Sequence, residues 1–290
     1  MPLNADSFRF DGIHCFIAGQ GPPLLLVHSI NATGSAAEVR PLVEHFRATH
    51  TVFALDLPGF GGSDRSARAY TPRLMTDALH ATAREIQARC GPAPLAALAV
   101  SLSCEFLARA ASEQPAQYSR LALVSPTGLT GNKARRGKPG STRAVPGLYA
   151  ALSQPLWAEA LFRGLTRPGV VRYFLERTWG SKAIDERLLA DAVQSARAPG
   201  ARHAPLHFLG AVLFSADVLS VYESLSQPVW ASHGVRGDFT DYRGRAFLHS
   251  HASWQWTVYD SGALPYFEHP AAFNADLQRF LGSSAPAMAG

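Results

Sequence analysis

Apolar positions along this chain fall into short unbroken runs, separated by stretches whose apolar residues recur at helical spacing. The runs PPLLLVHS (22–29), TVFALD (51–56), LAALAV (95–100), RLALVSP (120–126), PVWASHG (228–234) and SWQWTVYD (253–260) have strand length. Consecutive apolar positions of that length suit strands covered on both faces. Ahead of them, SFRFDGIHCFIAGQG predicts two short strands with a turn at Asp11-Gly12. Between the runs, AAEVRPLVEHFRA (36–48) sets Val39, Leu42, Val43 and Phe46 on one helix face. Residues 71–91 predict a helix capped by Thr71, with Pro72 at its first position and Gly91 as its stop. CEFLARAASEQP (104–115) predicts a helix ended by Pro115, and AAFNADLQRFLG (271–282) a closing helix. The tail SSAPAMAG has the composition of a disordered end.

Strands alternating with helices imply an α/β protein with a mostly parallel, eight-stranded sheet and helices on both faces. Ligands then bind outside the carboxyl ends of the strands. The alternation breaks between 128 and 226, where LYAALSQPLWAEALFRGL, GVVRYFLERTW and IDERLLADAVQSARA read as helices. The expected division is a core domain of 1–127 and 227–290, with 128–226 as a helical cap over the strand ends. No internal repeat is visible.

Three stretches carry a resemblance. LLLVHSI (24–30) resembles the strand and His-Gly turn that opens the oxyanion loop of α/β-hydrolase-fold enzymes. ALDLPGFGGSD (54–64) is similar to that superfamily's Asp-x-x-Gly-x-Gly-x-Ser loop, and ALAVSLSCEFLARAASEQP (97–115) to its strand–nucleophile–helix unit. With the capping insertion and GALPYFEHP (262–270), the resemblance spans about residues 7–282. It implies the α/β-hydrolase fold of the capped, serine-nucleophile type.

The elbow reads Ala99-Val100-Ser101-Leu102-Ser103 rather than Gly-x-Ser-x-Gly. A strained strand-to-helix turn needs small neighbours two residues either side of the nucleophile, and Ala and Ser are small. Ser101 is the favoured nucleophile. The rival register, on Ser103, would put Glu105 where a small residue is needed. Alternatively both serines simply cap a helix. The resemblance assigns the oxyanion hole to the N–H groups of Leu102 and Ile30, with Ser29 replacing the usual glycine and Asn31 as a further polar contact. His28 reads as a packed structural histidine. The acid belongs in GVRGDFTDY (234–242), where Asp238 is favoured over Asp241; both also suit a surface turn.

The base is the missing piece, because the resemblance places it at position 263, which holds Ala263. His233, at the end of its strand, and His203 and His207, in the insertion, stay open as substitutes. Tyr266 and Glu105 are further polar groups near the rim, though an unperturbed phenol titrates near pH ~10 and makes a poor base. The other histidines fall on the wrong elements or the wrong end of the sheet.

Composition changes this picture little. The chain of 290 residues is 47% hydrophobic and 17% charged, enough for a large core. Its net charge of +5 is matched by GNKARRGKPGSTR (131–143), which holds five cations and no acid. That segment lacks the interleaved aromatics of a nucleic-acid surface and reads as a solvated loop. The three cysteines lack paired spacing, which argues against a disulfide scaffold or zinc site. GFGGSD lacks the Lys-Ser/Thr of a phosphate-binding P-loop. No apolar run is long enough for a membrane span and no signal-peptide pattern opens the chain, so a cytoplasmic enzyme with a small-molecule substrate is expected, without cofactor, metal, membrane or nucleic acid. The expected activity is hydrolysis of an ester, lactone or thioester with an apolar acyl or aromatic portion, through an acyl-enzyme at Ser101. Apolar residues of the insertion such as Leu156, Trp157, Phe162 and Phe174 suggest that portion. The alternative, motivated by Ala263, is a binding protein, lyase or isomerase of the same fold.

Overall fold

Each apolar run forms a strand of one eight-stranded sheet, in the order β1-β2-β4-β3-β5-β6-β7-β8. The computed structural model describes residues 3–249, 251 and 253–283, so the tail beyond Ser283 lies outside the described residues. β1 (Asp6–Phe10) and β2 (Ile13–Ala18) form a hairpin through Asp11 and Gly12, both at positive φ. β2 runs antiparallel to β4 (Thr51–Asp56). Parallel pairing then joins β4, β3 (Pro23–Val27), β5 (Leu95–Val100), β6 (Tyr118–Val124), β7 (Val229–Gly234) and β8 (Trp254–Tyr259).

Strand side chains alternate between two buried layers. Leu25, Val27, Ala97 and Ala99 join one core, with residues of α2 (Pro72–Cys90) and α3 (Ser103–Glu113). Leu24, Leu26, Leu98 and Val100 join the other, with α1 (Arg40–Phe46) and the last helix, Pro270–Gly282. Burial on both faces is why β3 and β5 carry no polar alternation, whereas β8, at the sheet edge, is partly exposed although its run predicts cover on both faces. α2 has the expected ends: the Thr71 side chain accepts from Leu74 N at 3.2 Å, Pro72 opens the helix, and Gly91 at φ 98° stops it.

Between β6 and β7 the chain forms α4 (Leu148–Leu152), α5 (Ala158–Leu165), α6 (Pro168–Trp179), α7 (Glu186–Ser195), α8 (His203–Leu209) and α9 (Val218–Glu223). The single helix expected over 148–165 is split around Pro155, which cannot donate and would clash with the preceding turn. α8, α9 and the short α10 (Pro265–Glu268), which precedes α11 (Pro270–Gly282), have seven residues or fewer, too few to show a helical period. α9 packs on α3, and its Val218, Leu219 and Tyr222 belong to the same core layer.

The inserted helices are fastened to the sheet domain in several places. A Cβ at Gly59 would collide with Ala204 of α8 and the Tyr70 ring, so the glycine-rich loop and α8 are in backbone-close contact. Gly262 meets Thr178 and Trp179 in the same way. Arg40, buried on α1, holds the α7 cap Asp185 through two bonds of 3.0 and 2.9 Å. The basic segment 131–143 is largely exposed, yet Gly137 N and Arg143 N donate to Ala216 and Phe214 carbonyls. Among the described residues no helix is long and apolar enough to cross a membrane.

Candidate active site

The chain leaves β5 and enters α3 within two residues, and Ser101 absorbs the turn at φ 56°. That left-handed conformation costs a non-glycine residue roughly 1–2 kcal/mol. Ser101 N donates to Val124 O at 2.8 Å, which fixes the turn over the parallel neighbour β6. Ser101 is only partly buried, and its hydroxyl makes no hydrogen bond among the described residues. Ser103 is the opposite case: fully buried, its Oγ donates to His28 O at 2.5 Å. The second small residue of the elbow therefore ties the start of α3 to the loop after β3.

That loop is built around two buried polar groups. His28 donates through Nδ1 to Ser29 O at 2.6 Å and accepts through Nε2 from Leu57 N at 3.1 Å. Burial pulls its pKa down, so the imidazole stays neutral and joins the loops after β3 and β4. Glu38 accepts from Ser29 N at 2.5 Å and from Ser29 Oγ at 2.7 Å. Ser29 is not at positive φ, so glycine's freedom is not needed there, and its hydroxyl supplies a second bond to the carboxyl. Asn31 turns inward, donating to Ser29 Oγ and accepting from Thr33 N. The N–H groups of Ile30 and Leu102 donate to no acceptor among the described residues. The Ser103–His28 bond holds the segments that carry them together.

The glycine-rich loop is organised by Asp56, which accepts from Ala36 N at 2.7 Å, Gly62 N at 2.8 Å and His14 Nδ1 at 2.9 Å. Burial alone would raise this carboxyl, but those bonds outweigh it and hold its pKa below the usual range. The motif residue is thus a scaffold for the loop under α8.

The acid and base candidates are dispersed. Asp238 makes a bidentate pair with Arg177 of α6, at 2.5 and 2.7 Å, and its side chain is 38% exposed. Asp241 binds Gly131 N and Arg243, and that guanidinium holds its pKa far below the carboxylate range. His233 is buried, stacked on Tyr242 with ring centroids 4.0 Å apart, and bonded through Nδ1 to Gly234 O at 2.9 Å. Burial lowers its pKa, the Trp256 ring meets it edge-on at 6.2 Å, and the Arg245 guanidinium lies 3.4 Å from Nε2. His207 bonds His203 O at 2.9 Å and lies over Tyr149 at 3.8 Å; burial lowers the pKa of both histidines. No histidine bonds Ser101, and neither acid bonds an imidazole, among the described residues.

Where the base was expected, Ala263 N donates to Thr178 O at 2.9 Å and Ala263 O accepts from Ser125 Oγ at 2.7 Å. The loop is closed against the end of α6. Tyr266 is buried, its hydroxyl without a hydrogen-bond partner among the described residues; burial, and next the charge of Glu38, raise its pKa, so the phenol keeps its proton. Glu105 is turned to the two roots of the insertion, accepting from Thr127 Oγ1 at 2.5 Å and Ser215 N at 2.8 Å. Burial pushes its pKa up to about 7. Sequence reasoning missed Glu38 and Ser125. Glu38 shows only as an acid in an apolar helical stretch, and Ser125 only as the hydroxyl closing a strand run.

A glycine-rich loop pinned by an aspartate, a left-handed serine after the fifth strand and an adjacent loop with free amides define a recognisable class. The chain belongs to the α/β-hydrolase fold family, whose model matches residues 22–175. No curated protein matches it in sequence. Among solved structures it is similar to the 2-hydroxy-6-oxo-6-phenylhexa-2,4-dienoate hydrolase of Rhodococcus sp. strain RHA1, at 17% identity and TM-score 0.76, covering 97% of this chain and 100% of that one. A serine hydrolase involved in carbazole degradation is similar at 14% identity and TM-score 0.73, over 96% and 98% of the two chains. A bacterial membrane phospholipase A is similar at 20% identity and TM-score 0.70, over 97% and 86%. At these identities the likeness is one of fold.

Proposed function

We propose that the protein is a hydrolase that opens activated esters, thioesters or lactones through an acyl-enzyme on Ser101, with the inserted helices as a cap over the site. The observation that carries this reading is the Ser101 backbone at φ 56°, with the amides of Leu102, the next residue, and of Ile30, on the loop that Ser103 ties to α3, unused among the described residues. A strained residue with a free hydroxyl is maintained against its own conformational preference, which is how this fold presents a nucleophile. Attack by Ser101 Oγ forms the new C–O bond and moves charge to the carbonyl oxygen, which the two amides would receive. Collapse of that oxyanion breaks the bond to the leaving oxygen or sulfur, which takes up the proton serine releases, directly or through solvent, since Ala263 supplies no acceptor, and leaves the acyl group on Ser101. Water then releases the carboxylic acid and restores the hydroxyl.

Without general-base assistance, typically worth 10²–10⁴-fold, turnover is expected to be slow and confined to good leaving groups. A fluorophosphonate probe with peptide mapping tests the reading. Labelling at Ser101 that vanishes in Ser101→Ala supports it, and no labelling in folded protein opposes it. A second reading, a non-hydrolytic member of the fold, is favoured by one feature: the loop at Ala263 is sealed by Ser125 and Thr178. It predicts that Ser101→Ala leaves ligand binding or turnover intact.

A further inference from the structure

Helices α5, α6 and α7 and the segment after α7 enclose a cleft of ≈ 760 Å³ on the insertion, within the size range of small-molecule sites. Its floor includes Phe162 and Val193, and its walls carry Arg163, Arg167, Arg197 and Arg202 against one acid, Glu159. That carboxylate is already shared, accepting from Arg163 at 3.0 Å and Arg202 at 2.6 Å. The Arg167 and Arg197 side chains have no hydrogen-bond or ion-pair partner among the described residues. A second groove of ≈ 530 Å³ shares Val193 and Arg197 with the first and continues along α7 to Leu189. Together they form an open trough of mixed lining, with Val193 partly exposed above the buried Phe162 and Leu189, Glu186 held by Arg172, and Arg167 and Arg197 without a partner among the described residues.

Four guanidiniums around one carboxylate repel one another, and a cleft lined by one sign of charge concentrates the potential felt by an anion. A guanidinium fork matches a carboxylate with two parallel hydrogen bonds. We propose that this trough binds an amphiphilic carboxylate, its head between Arg167 and Arg197 and its alkyl chain along Val193 and Leu189. The site is separate from Ser101 and does not depend on the reading of that residue.

The test is calorimetric titration of the full chain with decanoate, decanol and decyl phosphate, all below their aggregation concentrations. Wild type and Ser101→Ala should bind decanoate equally, more weakly as salt rises. Decanol should bind about tenfold or more weaker, and Arg167→Ala/Arg197→Ala should lose decanoate affinity about tenfold, roughly the sum of two exposed charge pairs. Both substitutions fall on exposed, unpaired side chains, so an unchanged melting temperature serves as the folding control. Decanoate binding that is absent, insensitive to the double substitution, lost in Ser101→Ala or matched by decanol overturns the proposal. Tighter binding of decyl phosphate than decanoate overturns the carboxylate assignment.

Discussion

Ser101 holds a conformation that serine disfavours, and the site gains a projecting hydroxyl from it. Replacing it by glycine removes the left-handed penalty, partly offset by glycine's greater freedom when unfolded. Ser101→Gly should therefore raise stability by about 0.5–1 kcal/mol while abolishing acyl chemistry, read as the urea midpoint and ester cleavage. At the other end of the missing relay, Ala263→His should speed p-nitrophenyl ester cleavage about tenfold or more, measured at steady state. It should stay below the upper part of the usual 10²–10⁴ range. The reason lies in Asp238 and Asp241, whose carboxylates are occupied by Arg177 and Arg243 and leave the new imidazole without an orienting partner.

At the scale of elements, α3 is the centre of the design. Its first residue, Ser103, grips the loop after β3, and its third, Glu105, grips Thr127 and Ser215. Ser103→Ala should cost about 1 kcal/mol and slow probe labelling of Ser101, because the His28 carbonyl loses its donor. Glu105 makes a pH prediction. Burial raises its pKa from an ordinary 4.5 to about 7, so the native protein keeps a proton that the unfolded chain releases in that window. Its contribution to stability is full below pH 4.5 and is lost as pH rises through 7. Glu105→Gln should flatten the fall in melting temperature between about pH 5 and 8, as thermal melts of the two proteins would show. The strands and α2 were legible because doubly buried strands and a capped 19-residue helix leave unambiguous patterns. α8, α9 and α10 were not, since one or two turns produce no period. The elbow was legible because its steric demands are local. The fate of the acid was not, since Asp238 pairs with Arg177, 61 residues away on a helix whose docking no local pattern encodes.

Across the whole molecule, the insertion is held by unequal fastenings. Arg109 of α3 reaches Asp217 at 2.6 Å, with side-chain exposures of 14% and 4%, and Asp217 also accepts from Gly140 N at 2.7 Å. Removing one partner of a pair this buried strands a charge, so Arg109→Ala should destabilise by about 3 kcal/mol in urea unfolding. Arg177→Ala, at the exposed pair with Asp238, should cost less than about 1 kcal/mol. The contrast makes the attachment through Arg109 of α3 stronger than the one on the loop after β7. The central claim is that Ser101 is a presented nucleophile, and the most direct measurement is mass-spectrometric mapping of the native protein after fluorophosphonate treatment. The account predicts a single phosphonylated peptide containing Ser101, absent in Ser101→Ala. Intact, folded protein left unmodified there, or modified equally in the variant, would contradict it.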